Sequence, residues 1–336
     1  MPPTALTQLT KPIFILAPMD DVTDTVFRQI IGGCAAPDLY FTEFVNVDGL
    51  QSPGRPKLLK KLRFTTAEQP LVVQIWGKNP ENFRLTAAEI ADGSLARELG
   101  LPEGVNFAGI DLNMGCPEKN VVKNGTCSAL INDPELAIAM IQATQAGAAG
   151  RLPISVKTRL GFNQIDFNWH TTLLQQKLNM LSIHGRTRAE MSKVPANWAA
   201  IGEVRKLRDS LSPSTLIIGN GDVMSRAQGV GLAAKHGLDG IMVGRGIFQD
   251  PYVFETNSPW LGFSAEERIA LFRRHVELFA ATWHNNERPI HTLNKFCKIY
   301  INHFDGAKEL RERLMAATSS QELLQQLVAA REVAYT

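Results

Sequence analysis

Short apolar runs alternate with longer amphipathic segments from residue 13 to about residue 250. The runs cover 13–19, 39–45, 70–77, 109–117, 153–161, 180–186, 215–222 and 240–246, eight in all. Most are nearly continuous in apolar character. Strands read this way when a parallel sheet is buried on both faces. Between them, Asn79-Pro80-Glu81 and Asp133-Pro134-Glu135 each place a capping side chain before a proline at the first helical position. Eight such strand–helix units predict an α/β chain built on a (β/α)8 TIM barrel rather than an open sheet.

The pattern changes near Pro259. Ser264-Ala265-Glu266-Glu267 has the form of a capping box, and Ile269, Phe272, Val276, Phe279 and Trp283 then recur at helical spacing. A second stripe follows in Leu293, Phe296, Tyr300 and Phe304, and no strand signal appears beyond it. The expected organisation is a catalytic barrel over residues 1–254 and a C-terminal all-helical domain over 255–336.

Composition changes this picture little. The 336 residues are 44% hydrophobic and 20% charged, with a net charge of +2, so no overall basic field announces a nucleic-acid partner. Four widely spaced cysteines, Cys34, Cys116, Cys127 and Cys297, lack metal-ligand spacing and suggest neither a structural zinc nor a disulfide framework. No basic segment followed by an apolar stretch opens the chain, and no apolar run reaches the roughly 18 residues of a membrane span. The expectation is a cytoplasmic protein with no membrane association and no implied protein partner.

In a parallel barrel the chemistry collects where the strands end. Here those ends read Pro18-Met19-Asp20, Thr42-Glu43, Gln74, Asn113 with Cys116, Lys157 with Arg159, His184 with Arg186, Asn220-Gly221-Asp222 and Gly244-Arg245-Gly246. The last two suit an anion, because glycines let backbone N–H groups approach closely and Arg245 adds a fixed charge. Lys157 and His184 end neighbouring runs and can aim a cation and an imidazole into one pocket. No G-x-G-x-x-G follows a strand, which excludes a separate dinucleotide-binding fold. One phosphorylated cofactor at the barrel mouth fits, and a flavin mononucleotide (FMN) suits it. Cys116 stands in a Gly-Cys-Pro break just after an apolar run, unlike a buried structural cysteine.

Assembled in this order, the segments resemble the tRNA-dihydrouridine synthases. They are Ala17-Pro18-Met19-Asp20-Asp21-Val22-Thr23-Asp24, Gln74-Ile75-Trp76-Gly77, Asp111-Leu112-Asn113-Met114-Gly115-Cys116-Pro117, Val156-Lys157-Thr158-Arg159-Leu160-Gly161, Ile183-His184-Gly185-Arg186-Thr187, and Asn220-Gly221-Asp222 with Gly244-Arg245-Gly246. The resemblance implies an FMN enzyme that reduces the C5–C6 bond of a uridine in tRNA, with NADPH as reductant. It implies Cys116 as the general acid. Pro18, Met19, Gln74, Lys157, His184, Asn220, Gly221, Asp222, Gly244 and Arg245 would hold the cofactor, and Asn113, Arg159 and Arg186 the substrate; no metal is expected. Two positions depart from the usual pattern. Cys127 stands where many members have glycine, putting a second thiol after Cys116, and Asp21 stands where many have a small residue.

Contacts with tRNA are the least defined. Arg55, Lys57, Lys60, Lys61 and Arg63 form one basic cluster, and Lys295 and Lys298, with His291 and Asn302, share a face of a tail helix. Either is a phosphate-binding surface or a solvated face. Two other readings stay open: an FMN barrel of the dihydroorotate or dihydropyrimidine dehydrogenase kind, and a tRNA-binding protein without catalysis.

Overall fold

The computed structural model describes residues 9–284 and 287–333. The ends of the two predicted domains, residues 1–8 and 334–336, lie outside them. By compactness the chain falls into two units, Met1–Thr25 with Pro37–Gly244, and Val26–Ala36 with Arg245–Thr336.

The first unit holds β1 (Ile13–Leu16), β2 (Tyr40–Asn46), β3 (Leu71–Trp76), β4 (Gly109–Met114), β5 (Ile154–Arg159), β6 (Met180–His184), β7 (Leu216–Asn220) and β8 (Gly240–Val243). They pair in parallel in the order β1-β8-β7-β6-β5-β4-β3-β2. The ring closes through a parallel bridge between Ile15 and Leu39, with Leu16 N–H donating to the Leu39 carbonyl at 3.1 Å. Each predicted run matches one strand; β2 continues one residue past its run, to Asn46, and the others stop short of the predicted C-terminal end. The run 13–19 ends as a strand at Leu16, two residues before Pro18, which has no N–H to donate to a ladder. The barrel is packed by Ile13, Ile15, Ala17, Leu39, Phe41, Val72, Met180, Leu216, Ile218 and Met242. This interior is a filled core, and only the rim is left for chemistry.

Helices follow the strands as the caps predict. Asn79 accepts from Glu81 N–H at the start of Pro80–Ala91, and Asp133 from Leu136 N–H at the start of Pro134–Ala148. These two helices pack on each other, and a Cβ at Gly147 would lie 2.1 Å from the Arg84 carbonyl oxygen, so only glycine permits the approach.

The second unit is helical: α1 (Thr25–Cys34, whose first residue belongs to the other unit), α2 (Ala265–Thr282), α3 (Asn294–Tyr300), α4 (Ala307–Ala316) and α5 (Ser320–Val333). Ser264 and Glu267 form the predicted capping box, and Ile269, Phe272, Val276, Phe279 and Trp283 are all buried. Phe27 of α1 stacks on Phe296 at 5.0 Å, and Phe272 on Tyr300 at 5.1 Å. The change of pattern near Pro259 gives no hint that α1 packs with the tail. Phe304 of the predicted second stripe lies beyond α3, because the chain turns at His303 (φ 58°) and Gly306 (φ 76°) before α4 begins. No helix among the described residues is long and apolar enough to cross a membrane.

Candidate functional site

Strand register brings the predicted rim residues of the barrel together. Asn113 on β4 is the Cα partner of Lys157 on β5, Arg159 of His184 on β6, and His184 of Asn220 on β7. On the other side, Gln74 on β3 pairs with Asp111.

Cys116 sits on a turn fixed from three directions. Asn113 Oδ1 accepts from Gly115 N–H at 3.1 Å and Cys116 N–H at 3.0 Å. Arg159 Nε donates to the Gly115 carbonyl at 2.7 Å, and Ser128 N–H to the Cys116 carbonyl at 3.3 Å. The thiol is half-buried, and burial raises its pKa above the ordinary 9.0 against the pull of the Glu118 N–H, Lys157 and Arg159. Cys116 is therefore a thiol that keeps its proton at neutral pH. Cys127 is fully buried and raised further by the same cause, which leaves it inaccessible.

Lys157 carries the other unusual group. Burial, reinforced by Arg159, lowers its pKa from 10.5 to about 8, opposed by Asp111 and Cys116. No hydrogen bond or ion pair engages its amine among the described residues. Asp111, which lies inside the apolar run of β4, is fully buried, and burial lifts its carboxyl to about 6. Sequence reasoning passed over Asp111 and its partner Ser155. The available signal was a carboxylate in a buried strand whose other polar side chain is Asn113.

Around β6 and β7 the predicted residues engage one another. His184 Nδ1 lies 3.4 Å from Arg159 Nη1, which also donates to the carbonyls of Thr187 and Met191. Arg186, only 3% exposed, donates to the Val194 carbonyl and to Asp222, which in turn accepts from Ala196 N–H. Both guanidiniums thus hold loops in place. Asn220 Nδ2 donates to the Met242 carbonyl at 2.7 Å. Gly221 has φ 135°, and a Cβ there would lie 2.7 Å from that of Ala196. Pro18 is buried and Met19 part-exposed; a Cβ on Gly244 would meet only Ala17 and Met19, at 3.8 and 4.0 Å. Arg245 is exposed and opens the turn Arg245–Phe248 of the second unit.

These observations fit a phosphorylated, anionic flavin. Lys157 offers an unengaged amine, Arg186 Nη1 and Ser182 Oγ are buried polar atoms with no partner among the described residues, and Gly221 gives a backbone cradle that a side chain would fill. Buried donors of this kind call for an acceptor. Of the basic cluster after β2, Arg55 is engaged by Glu89 and Glu98 and Lys61 by Asp20, while Lys57 is exposed. In the tail cluster, Lys295 and Lys298 on α3 are exposed.

The chain matches the family model "Dihydrouridine synthase (Dus)" over residues 15–334. It is 45% identical over 319 residues to the probable tRNA-dihydrouridine synthase 2 of Bacillus subtilis (strain 168), covering 94% of this chain and 93% of that one. It is 44% identical over 318 residues to the probable tRNA-dihydrouridine synthase of Staphylococcus aureus (strain COL), covering 94% and 92%. Among solved structures it is similar to morphinone reductase at 10% identity and a TM-score of 0.47, over 72% of this chain and 84% of that one. With the family model and these relatives spanning nearly its whole length, the chain belongs to the dihydrouridine synthase family of flavin-dependent oxidoreductases.

Proposed function

We propose that the protein is a cytoplasmic tRNA-dihydrouridine synthase that reduces the C5–C6 bond of a uridine in tRNA, with FMN as cofactor and NADPH as reductant. The observation that carries this reading is the Cys116 thiol, half-buried on a fixed turn and kept protonated beside the cation of Lys157. Bound FMN supplies the hydride that C6 takes up. Cys116 gives its proton to C5 from the opposite face, and the thiolate left behind is stabilised by Lys157 and Arg159, whose charges already favour it. A carboxylic acid would have lost its proton at neutral pH, whereas a thiol above the ordinary value retains it.

The remaining rim residues bind and orient. Lys157 and His184 contact the flavin or the uracil, Pro18, Met19 and Gln74 line the ring, and Asn220, Gly221 and Gly244 receive the phosphate. Asn113 orients the base and holds the acid's turn through the same side chain. The target base must leave the tRNA fold at a cost of a few kcal/mol, which contacts elsewhere on the tRNA offset. The helical unit supplies such contacts through exposed lysines such as Lys295 and Lys298.

The test is mass-spectrometric mapping of tRNA from a strain lacking the gene, with the purified protein added back with FMN and NADPH. Loss of dihydrouridine at a defined position and its return on add-back is the expected result. Unchanged dihydrouridine content, or a protein that takes up no flavin, would refute the reading.

A further inference from the structure

A run of buried side chains links Asp111, fully buried within β4, to the turn that carries the thiol. Ser155 Oγ donates to Asp111 Oδ1 at 2.5 Å, and Gln74 Nε2 donates to Asp111 Oδ2 at 2.7 Å. Gln74 Oε1 then accepts from Asn113 Nδ2 at 3.1 Å, and Asn113 Oδ1 accepts from the Gly115 and Cys116 N–H groups. Each direction follows from the first. An ionised carboxylate can only accept, so Gln74 must turn its NH2 group toward Asp111. Its carbonyl oxygen is left facing β4, so Asn113 must offer NH2 there. Only then is Asn113's oxygen free for two backbone donors. A reversed Asn113 would set its NH2 against those two N–H groups, and the turn would lose its anchor.

We infer that Asp111 is a positioning residue that sets the Cys116 turn by fixing the amide orientations of Gln74 and Asn113 in series. Asp111, Gln74 and Asn113 are each no more than 6% exposed, so water cannot readily substitute for a missing partner. The catalytic meaning of this relay rests on the reading of Cys116 as the acid; its existence does not. Gln74 and Asn113 are both proposed to face the cofactor or the base, so one carboxylate orders ligand-facing amides and the acid's turn together.

The test reads the relay in the full-length protein by hydrogen exchange resolved to single amides, with no turnover needed. In Asp111→Leu, which offers no acceptor, the Gly115 and Cys116 amides should exchange about tenfold faster while the ladder amides of β4 and β5 hold. Asp111→Asn keeps an acceptor for Gln74 and can donate to the Ser155 hydroxyl, so it should stay near wild type. Gln74→Met cuts the next link and should match Asp111→Leu. The double variant Asp111→Leu/Gln74→Met should be no worse than either single change, as expected for one series. Should Asp111→Leu not fold, Gln74→Met carries the test alone, because it leaves Asp111 its Ser155 donor and cuts the link to Asn113. The inference is overturned if the two amides keep wild-type exchange without Asp111, if all of β4 loosens equally, if the effects add, or if Asn is as damaging as Leu.

Discussion

Arg159 Nε donates to the Gly115 carbonyl at 2.7 Å, which ties the end of β5 to the turn that holds Cys116. Its Nη1 reaches the carbonyls of Thr187 and Met191 at 3.2 and 3.3 Å, so one guanidinium joins the loops after β4 and β6. Burial lowers its pKa to about 10, which still leaves it charged at neutral pH.

Arg159→Met should therefore strand buried carbonyls, each costing about 1–3 kcal/mol when unsatisfied. Urea denaturation should show a loss of about 2–4 kcal/mol. Arg159→Lys should recover only part of it, since an ammonium lacks the planar fork that reaches several acceptors. Full recovery by lysine would mean that charge alone is required there.

Lys157 gives a prediction in pH. Its folded pKa of about 8 lies below the ordinary 10.5, so the unfolded chain binds a proton there that the folded chain releases. The cost of burying the ammonium is fully present below about pH 8 and is relieved as pH rises toward 10.5. Lys157→Met should thus melt higher than wild type at about pH 7, with the gap shrinking by about pH 9.5. The same variant should bind FMN more weakly in a fluorescence titration. A gap that stays constant across this range would show that the lysine is not held in its charged form at a cost.

The tRNA role of the helical unit should be tested by surface change and not by truncation. Cutting the chain at residue 245 would strip Phe27 of Phe248 and Phe296, which stack on it at 6.4 and 5.0 Å, and leave α1 without its core. Lys295→Glu with Lys298→Glu should leave FMN binding intact and weaken tRNA binding. It should also lower the slope of log affinity against log salt by about 0.7–0.9 for each phosphate no longer neutralised. An unaltered slope would make these lysines a solvated face.

The barrel was legible because eight buried strands leave eight apolar runs, a signal set by burial on both faces. Strand ends were less so, since Pro18 and the rim glycines extend the runs without joining the ladder. The rim residues were legible from their position, but their engagement was not. Arg159 and Arg186 read as cations for a ligand, while the loop carbonyls and the Asp222 carboxylate that take up most of their donors, leaving Arg186 Nη1 unpartnered among the described residues, carry no signal in the local pattern. Asp111 gave a local signal, a carboxylate two residues before Asn113 in a buried strand, but its partners Gln74 and Ser155 lie on other strands about forty residues away, and no local pattern joins them. The packing of α1 with the tail depends on contacts across more than two hundred residues, such as Phe27 with Phe296, and no local pattern encodes it.

The central claim is that Cys116 supplies the proton to C5, and single-turnover oxidation of prereduced enzyme by unmodified tRNA tests it most directly. Cys116→Ala should bind FMN and accept electrons from NADPH as wild type does, yet form dihydrouridine about 10²–10⁴-fold more slowly. Cys116→Ser should be nearly as slow, because an aliphatic hydroxyl is a far weaker acid than a thiol. Cys127→Ala, altered at a site with no solvent access, should retain most of the rate. A Cys116→Ala enzyme that turned over at the wild-type rate, or a Cys127→Ala enzyme that was dead while Cys116→Ala was active, would contradict the account.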